Sequence, residues 1–165
     1  MKRRLALGAG RTVKSLLALL AVVAVLSPSP TLAGNSVQVN GGGRGTLDGV
    51  RPFSQFGFGV SIGPANSAQG HFTCLMAGSS VFPGFEPLMK VDGKVTWGTV
   101  DLAAGTAEFR GSGTLNLRPS GKMPAVFEVE VKEGGADVGT LRLTVTTPNF
   151  PLPTETVLEG RIAIH

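Results

Sequence analysis

The chain has 165 residues, of which 42% are hydrophobic, and it contains one cysteine, so it can build one domain with its own core but no intrachain disulfide. Its 15 lysines and arginines exceed its 11 acidic residues, but five of the basic residues and none of the acidic ones lie in residues 1–33. The remainder carries a net charge of −1, which gives no support to nucleic-acid or anionic-membrane binding.

Residues 1–33 have the pattern of a signal peptide. Basic residues, among them Lys2 and Arg3, precede an unbroken apolar run at residues 16–26, and a stretch rich in small residues ends at Ala33. The 11 apolar residues are fewer than the roughly 20 that a spanning helix needs, so we predict cleavage and no stable membrane anchor afterwards. We therefore predict export by the general secretory route to the periplasm or the extracellular space.

Residues 34–165 are predicted to form a single β-domain that begins with a glycine-rich segment at residues 34–49. A first strand is predicted near residues 36–40, followed by a flexible link over the glycine run at residues 41–45. A phosphate-binding loop would end in Lys-Ser or Lys-Thr and would open a helix, and this segment does neither.

Residues 53–62 and 68–76 are predicted to pair as a hairpin, because large apolar residues recur there at every second position. His71 and Cys74 are the residues to consider as a base and a thiol nucleophile. Their separation of three residues on a strand places them on opposite faces. We predict a buried, inert Cys74; a free thiol that pairs between chains is the alternative.

The alternation breaks at residues 77–92, where glycines and prolines interrupt apolar residues. A second irregular stretch, residues 146–156, holds three prolines around Phe150. Loops commonly carry function, so these two segments are the candidate ligand or partner loops. The candidate site residues are Val81, Phe82, Phe85, Phe150 and His71.

Residues 93–145 show the clearest pattern, with period-two apolar positions in four segments that three turns separate. Trp97 is predicted to be in the core together with Val95, and a last strand at residues 157–165 is predicted to close the sheet. The predicted fold class is all-β, a single antiparallel domain of about eight strands, arranged as a sandwich or a flattened barrel with mainly hairpin (meander) connections.

Charged residues alternate with the apolar ones in this part of the chain, as do Glu128, Glu130 and Arg142. This is typical of the solvated face of a half-buried sheet, where opposite charges pair across strands. A carboxylate pair for glycoside hydrolysis is disfavoured, because no aromatic sugar platform is predicted beside the two glutamates. Acidic residues in the turns, such as Asp101, are predicted to serve turn geometry rather than metal binding.

Several short strings recur in a known pattern: Phe56-Gly57-Phe58, Gly70-His71-Phe72, the Gly-Ser-Gly-Thr-Leu-Asn string at residues 111–116 and the closing strand at residues 158–165. With these strings, roughly residues 39–165 resemble a family of small exported bacterial all-β domains that is sometimes labelled the post-COAP domain. The resemblance implies an exported, non-enzymatic β-domain and brings no catalytic residues with it.

The function predicted from the sequence is an exported, non-enzymatic structural or binding module for an unknown envelope or extracellular partner. No cofactor, no metal and no nucleic-acid partner is predicted. A small-ligand carrier, with strands closed around an apolar β-barrel cavity, is the first alternative. A hydrolase that acts on envelope polymers is the second.

Overall fold

Antiparallel strands make up most of the protein in a computed structural model that describes residues 36–76, 88–118 and 120–165. No helix in these ranges is long and apolar enough to cross a membrane. A short 3-10 turn, Pro64–Asn66, joins the second strand to the third. The strands are β1 (Val37–Thr46), β2 (Pro52–Ile62), β3 (Ser67–Met76), β4 (Met89–Asp101), β5 (Thr106–Leu117), β6 (Gly121–Lys132), β7 (Thr140–Thr147), β8 (Phe150–Pro151) and β9 (Glu155–Ile164).

The strands form one antiparallel sheet, which confirms the predicted all-β class and its hairpin connections. From β1 to β7, each strand pairs with the next along the chain, and β9 pairs with both β1 and β7. These pairings connect eight strands into a ring, while the two-residue β8 pairs with β7 alone. The ring needs no crossover connection between distant strands.

Phenylalanine rings fill the interior of the sheet. Phe58 on β2 lies 5.3 Å from Phe109 on β5 between ring centroids, and Phe72 on β3 lies 5.4 Å from Phe127 on β6. These strands are not neighbours in the sheet, so the contacts cross the interior. Offset and tilted pairs at such distances are favourable beyond the apolar area that they bury.

The predicted alternation over residues 93–145 is confirmed, with one exception described below. The strands it predicted are present, and β4 begins earlier than expected, at Met89. The turn residues Gly105 and Asp137 have positive φ angles of 64°, as turn geometry demands. The predicted core residues that are buried here are Val95, Ala107, Phe109, Leu115, Phe127, Val129, Val131, Leu141, Leu143 and Val145.

The exception is Trp97, whose predicted place in the core is wrong. The pairing of β4 with β5 shifts by one residue between Val95 and Trp97, which is a β-bulge. An extra residue in one strand reverses which face the following side chains occupy. Val95 is therefore buried, Gly98 takes the next inward position, and Trp97 is partly exposed on the outer face.

A second irregularity changes the predicted face of the last strand. The register of β9 against β1 shifts between Arg44 and Gly45, opposite Leu158. Strict alternation would place Leu158 on the same face as Ile162, but Val157 is the buried residue, with 1% of its surface exposed, and Leu158 is only partly buried. The bulge again moves a side chain off the face that strict alternation predicts.

The prediction of a flexible link over the glycine run is also wrong. The run lies inside β1, which pairs with β2 on one side and with β9 on the other. A Cβ atom added to Gly41 would meet the ring of Phe58, so the missing side chain makes room for a core phenylalanine. Gly42 faces outward, and the nearest atom to its added Cβ would be the Phe56 carbonyl oxygen at 3.9 Å.

Two neighbouring substitutions test this assignment. We expect Gly41→Ala to lower the free energy of unfolding by about 1–3 kcal/mol, because the methyl group overpacks the core beside Phe58. Gly42→Ala should change it by less than about 0.5 kcal/mol, since the added methyl group meets solvent. Urea denaturation measures both, and equal effects of the two substitutions would contradict a paired, two-faced strand.

Candidate functional site

A cluster of charged and aromatic side chains lies on the outer face of β4, β5 and β6. Cross-strand register places Trp97, Arg110 and Glu128 in one row. The guanidinium carbon of Arg110 lies 4.5 Å from the Trp97 ring centroid, which is a cation–π contact. Arg110 also pairs with two carboxylates: its Nη2 lies 2.6 Å from Glu108 Oε1, and its Nε lies 3.0 Å from Glu128 Oε2. Arg110 therefore fixes the positions of an indole and two glutamates at once.

An open cleft of about 490 Å³ lies beside this cluster, where the last residues of β4 and β6 meet the first residues of β5 and β7. A second cross-strand row crosses it, formed by Thr99, Glu108, Glu130 and Arg142 on four neighbouring strands. The charged side chains that line the cleft are Asp101, Glu108, Glu130, Lys132 and Arg142. We call it the outer-face cleft.

The predicted pairing of charges across strands is confirmed on this face. Glu128 pairs with Arg110, and Arg142 Nη1 lies 3.5 Å from Glu130 Oε1. The side chains of Arg142 and Glu130 are 45% and 50% exposed, so this pair contributes little to stability and is open to other partners.

Asp101 has the turn role that its position predicted. Its Oδ1 accepts hydrogen bonds from the backbone N–H groups of Ala103 and Ala104 at 2.9 and 3.0 Å. These bonds hold the turn between β4 and β5, and Asp101 is also one of the residues that line the outer-face cleft.

His71 and Cys74 lie on opposite faces of β3, as the sequence predicted. Cys74 is buried, and burial raises the pKa of its thiol, with the negative charge of Glu155 as a further cause. His71 Nε2 lies on the outer face, 3.3 Å from Asp92 Oδ1. The hydrogen bond from Lys90 is the largest cause that lowers the pKa of Asp92. His71 thus belongs to a solvated charge cluster and not to a thiol dyad.

The structure separates the other candidate residues. Phe150 lies on β8 opposite Val145, is partly buried and packs against the core. Val81, Phe82 and Phe85 lie outside the described residues. The described candidates, Phe150 and His71, therefore sit on different strands, and the outer-face cleft includes neither of them.

A buried polar group inside the sheet was missed by sequence reasoning. Glu155 is 3% exposed, and Ser54 Oγ donates a hydrogen bond to its Oε2 at 2.5 Å. Burial raises the pKa of Glu155 from 4.5 to about 7, against the opposite effect of the Ser54 hydroxyl. Gly45 leaves the space that the carboxyl group occupies. The available signal was that Glu155 alternates in phase with Val157, a core residue.

Arg110 and Glu108 were predictable as outward residues from their alternation with Phe109, whereas nothing in the local pattern marked the bulge that turns Trp97 outward. Within the described ranges, no group of three or more His, Cys, Asp or Glu residues is placed to hold a metal ion.

Comparison of the chain with protein-family models, curated proteins and solved structures finds no match. The resemblance to the post-COAP family therefore stays a prediction.

The contact between Arg110 and Trp97 has a direct spectroscopic test, because Trp97 is the only tryptophan of the chain. We expect Arg110→Ala to expose the indole, to shift its fluorescence emission to the red and to cost about 1 kcal/mol of stability. Arg142→Ala, on the same face, is the control and should leave the emission maximum in place. An unchanged spectrum of Arg110→Ala would contradict the contact.

Glu155 makes stability depend on pH. Because folding raises its pKa, its contribution to stability is fully present below pH 4.5 and is lost as the pH rises through about 7. We expect the free-energy difference between Glu155→Gln and the wild type to move in favour of the variant by about 3 kcal/mol from pH 4 to pH 8. Urea denaturation across this range measures it, with the exposed Glu159→Gln as control. Parallel curves for Glu155→Gln and the wild type would contradict the assignment.

Proposed function

We propose that the protein is an exported, non-enzymatic binding module and that the outer-face cleft is its binding site. The observation that carries the proposal is the cleft itself, with a cross-strand row of charged side chains running across it. Binding sites are commonly concave and hold a few polar groups in fixed positions. The row rests on paired strands, and the phenylalanine core behind them holds those strands in place.

The chemistry of the candidate groups favours binding over catalysis. Nucleophilic catalysis by Cys74 needs a thiolate, and burial raises the pKa of this thiol. Glu108 and Glu128 both form ion pairs with Arg110, which occupies these carboxylates with a protein cation. The buried Glu155 lies in the core beside Ser54, away from the outer face.

A small-ligand carrier receives less support than a surface-binding module. A carrier needs an apolar cavity, and the interior contacts between Phe58 and Phe109 and between Phe72 and Phe127 occupy the space between opposite strands. Nine of the twelve residues that line the outer-face cleft have charged or hydroxyl side chains, which suits a hydrophilic ligand.

The place of action follows from the leader that the sequence predicts. We propose export by the general secretory route, so that the cleft meets partners in the periplasm or the extracellular space. The net charge of −1 beyond residue 33 fits a partner other than nucleic acid.

Co-sedimentation with isolated envelopes of the host cells tests this function. We expect the chain without residues 1–33 to sediment with envelopes and Arg142→Ala to weaken binding about tenfold, because a hydrogen bond from a charged group to the ligand is lost. Arg44→Ala is the matched control, since Arg44 also forms an exposed pair, with Glu159 at 3.3 Å. Absence of binding by the wild type, or equal binding by the two variants, would overturn the proposal.

A further inference from the structure

We propose that the ligand of the outer-face cleft is an extended carbohydrate chain, recognised through its vicinal hydroxyl groups. This inference rests on the proposed binding function and names the class of ligand. It follows from the chemistry of the lining, from the spacing of the cross-strand row and from the position of Trp97.

The lining combines hydrogen-bond acceptors and donors. In the row across the cleft, Glu108 and Glu130 supply carboxylate acceptors and Arg142 supplies guanidinium donors, while the Thr99 hydroxyl does both. A sugar hydroxyl is itself both a donor and an acceptor, so a pair of neighbouring hydroxyls satisfies such a lining. The cleft therefore matches a polyol better than a ligand of one charge sign.

The spacing of the row fits a chain of sugar rings. Neighbouring strands lie about 4.8 Å apart, so a ligand lying across β4 to β7 meets one side chain of the row at each such step. This step is close to the advance of an extended glycan by one ring. Each ring could then place its hydroxyls against one member of the row, from Thr99 to Arg142.

The bulge adds an aromatic surface beside the row. Trp97 is two residues from Thr99 on β4, so its indole lies about 7 Å further along the strand. The indole is partly exposed, and Arg110 holds it in place from 4.5 Å. The C–H faces of sugar rings pack on indoles, so Trp97, which lies next to the cleft without lining it, adds an aromatic group beside the row.

Charge and polarity disfavour the other macromolecular ligands. Asp101, Glu108 and Glu130 outnumber Lys132 and Arg142 in the lining, so a polyphosphate chain meets net repulsion. A lipid surface binds through exposed apolar groups and cations, whereas three of the five charged residues that line this cleft are acidic. A protein ligand is the remaining competitor, and the experiment separates it from a glycan.

Chemical treatment of the envelopes identifies the ligand class. Periodate cleaves the carbon–carbon bond of a vicinal diol, oxidising its two carbinol carbons to aldehydes while periodate is reduced to iodate. We expect periodate oxidation followed by borohydride reduction to lower wild-type binding about tenfold or more. Digestion of the envelopes with proteinase K, followed by its inactivation and removal, should leave binding unchanged.

The outcomes separate the two proposals. Binding that survives periodate but is lost after proteinase K would overturn the carbohydrate and leave the binding function in place, with a protein partner. Failure of untreated envelopes to bind would overturn the binding function and the carbohydrate with it. The binding that remains on periodate-treated envelopes is the baseline. Above this baseline, Glu130→Gln on untreated envelopes should lose about as much binding as periodate removes from the wild type, and Arg44→Ala should lose none.

Discussion

Closure of the sheet is the constraint on which the rest of this structure depends. Each of the eight strands in the ring has a paired strand on both sides, so the ring presents no long free edge. The seam that closes the ring, the pairing of β9 with β7, is short, because these strands pair only at Thr140 and Leu141. The turn before β7 extends the seam, with reciprocal hydrogen bonds between Gly134 and Ile162 at 3.0 and 2.9 Å. Backbone hydrogen bonds from this turn therefore extend the pairing with β9 beyond the end of β7.

Bulges decide which residues the ring presents to solvent. Side chains alternate strictly along a strand, so a single extra residue is enough to exchange the two faces beyond it. The bulge before Trp97 places a large aromatic side chain on the charged face, where Arg110 stacks on it and joins it to two glutamates. Without that bulge the candidate site would have charges but no aromatic member.

The interior combines a packed aromatic core with one carboxyl group. The phenylalanines on opposite strands hold the sheet in shape behind the outer face, which gives the outward rows their fixed spacing. Glu155 is different, since its burial costs free energy that a single hydrogen bond from Ser54 offsets only in part. The same fold therefore places regular rows of outward side chains over a core that contains a titratable group.

The sequence by itself determined the antiparallel class, the order of the hairpins and most of the core, because period-two alternation is a local property of each strand. It also indicated that Glu130 and Arg142 face outward, on a face where opposite charges pair across strands, and the structure pairs these two. Only the tertiary structure decided the closure of the ring, the outward position of Trp97 and the burial of Glu155. Each of these depends on how strands far apart in the chain pack and pair. Local alternation does not predict where a strand must bulge to keep its register with its neighbour.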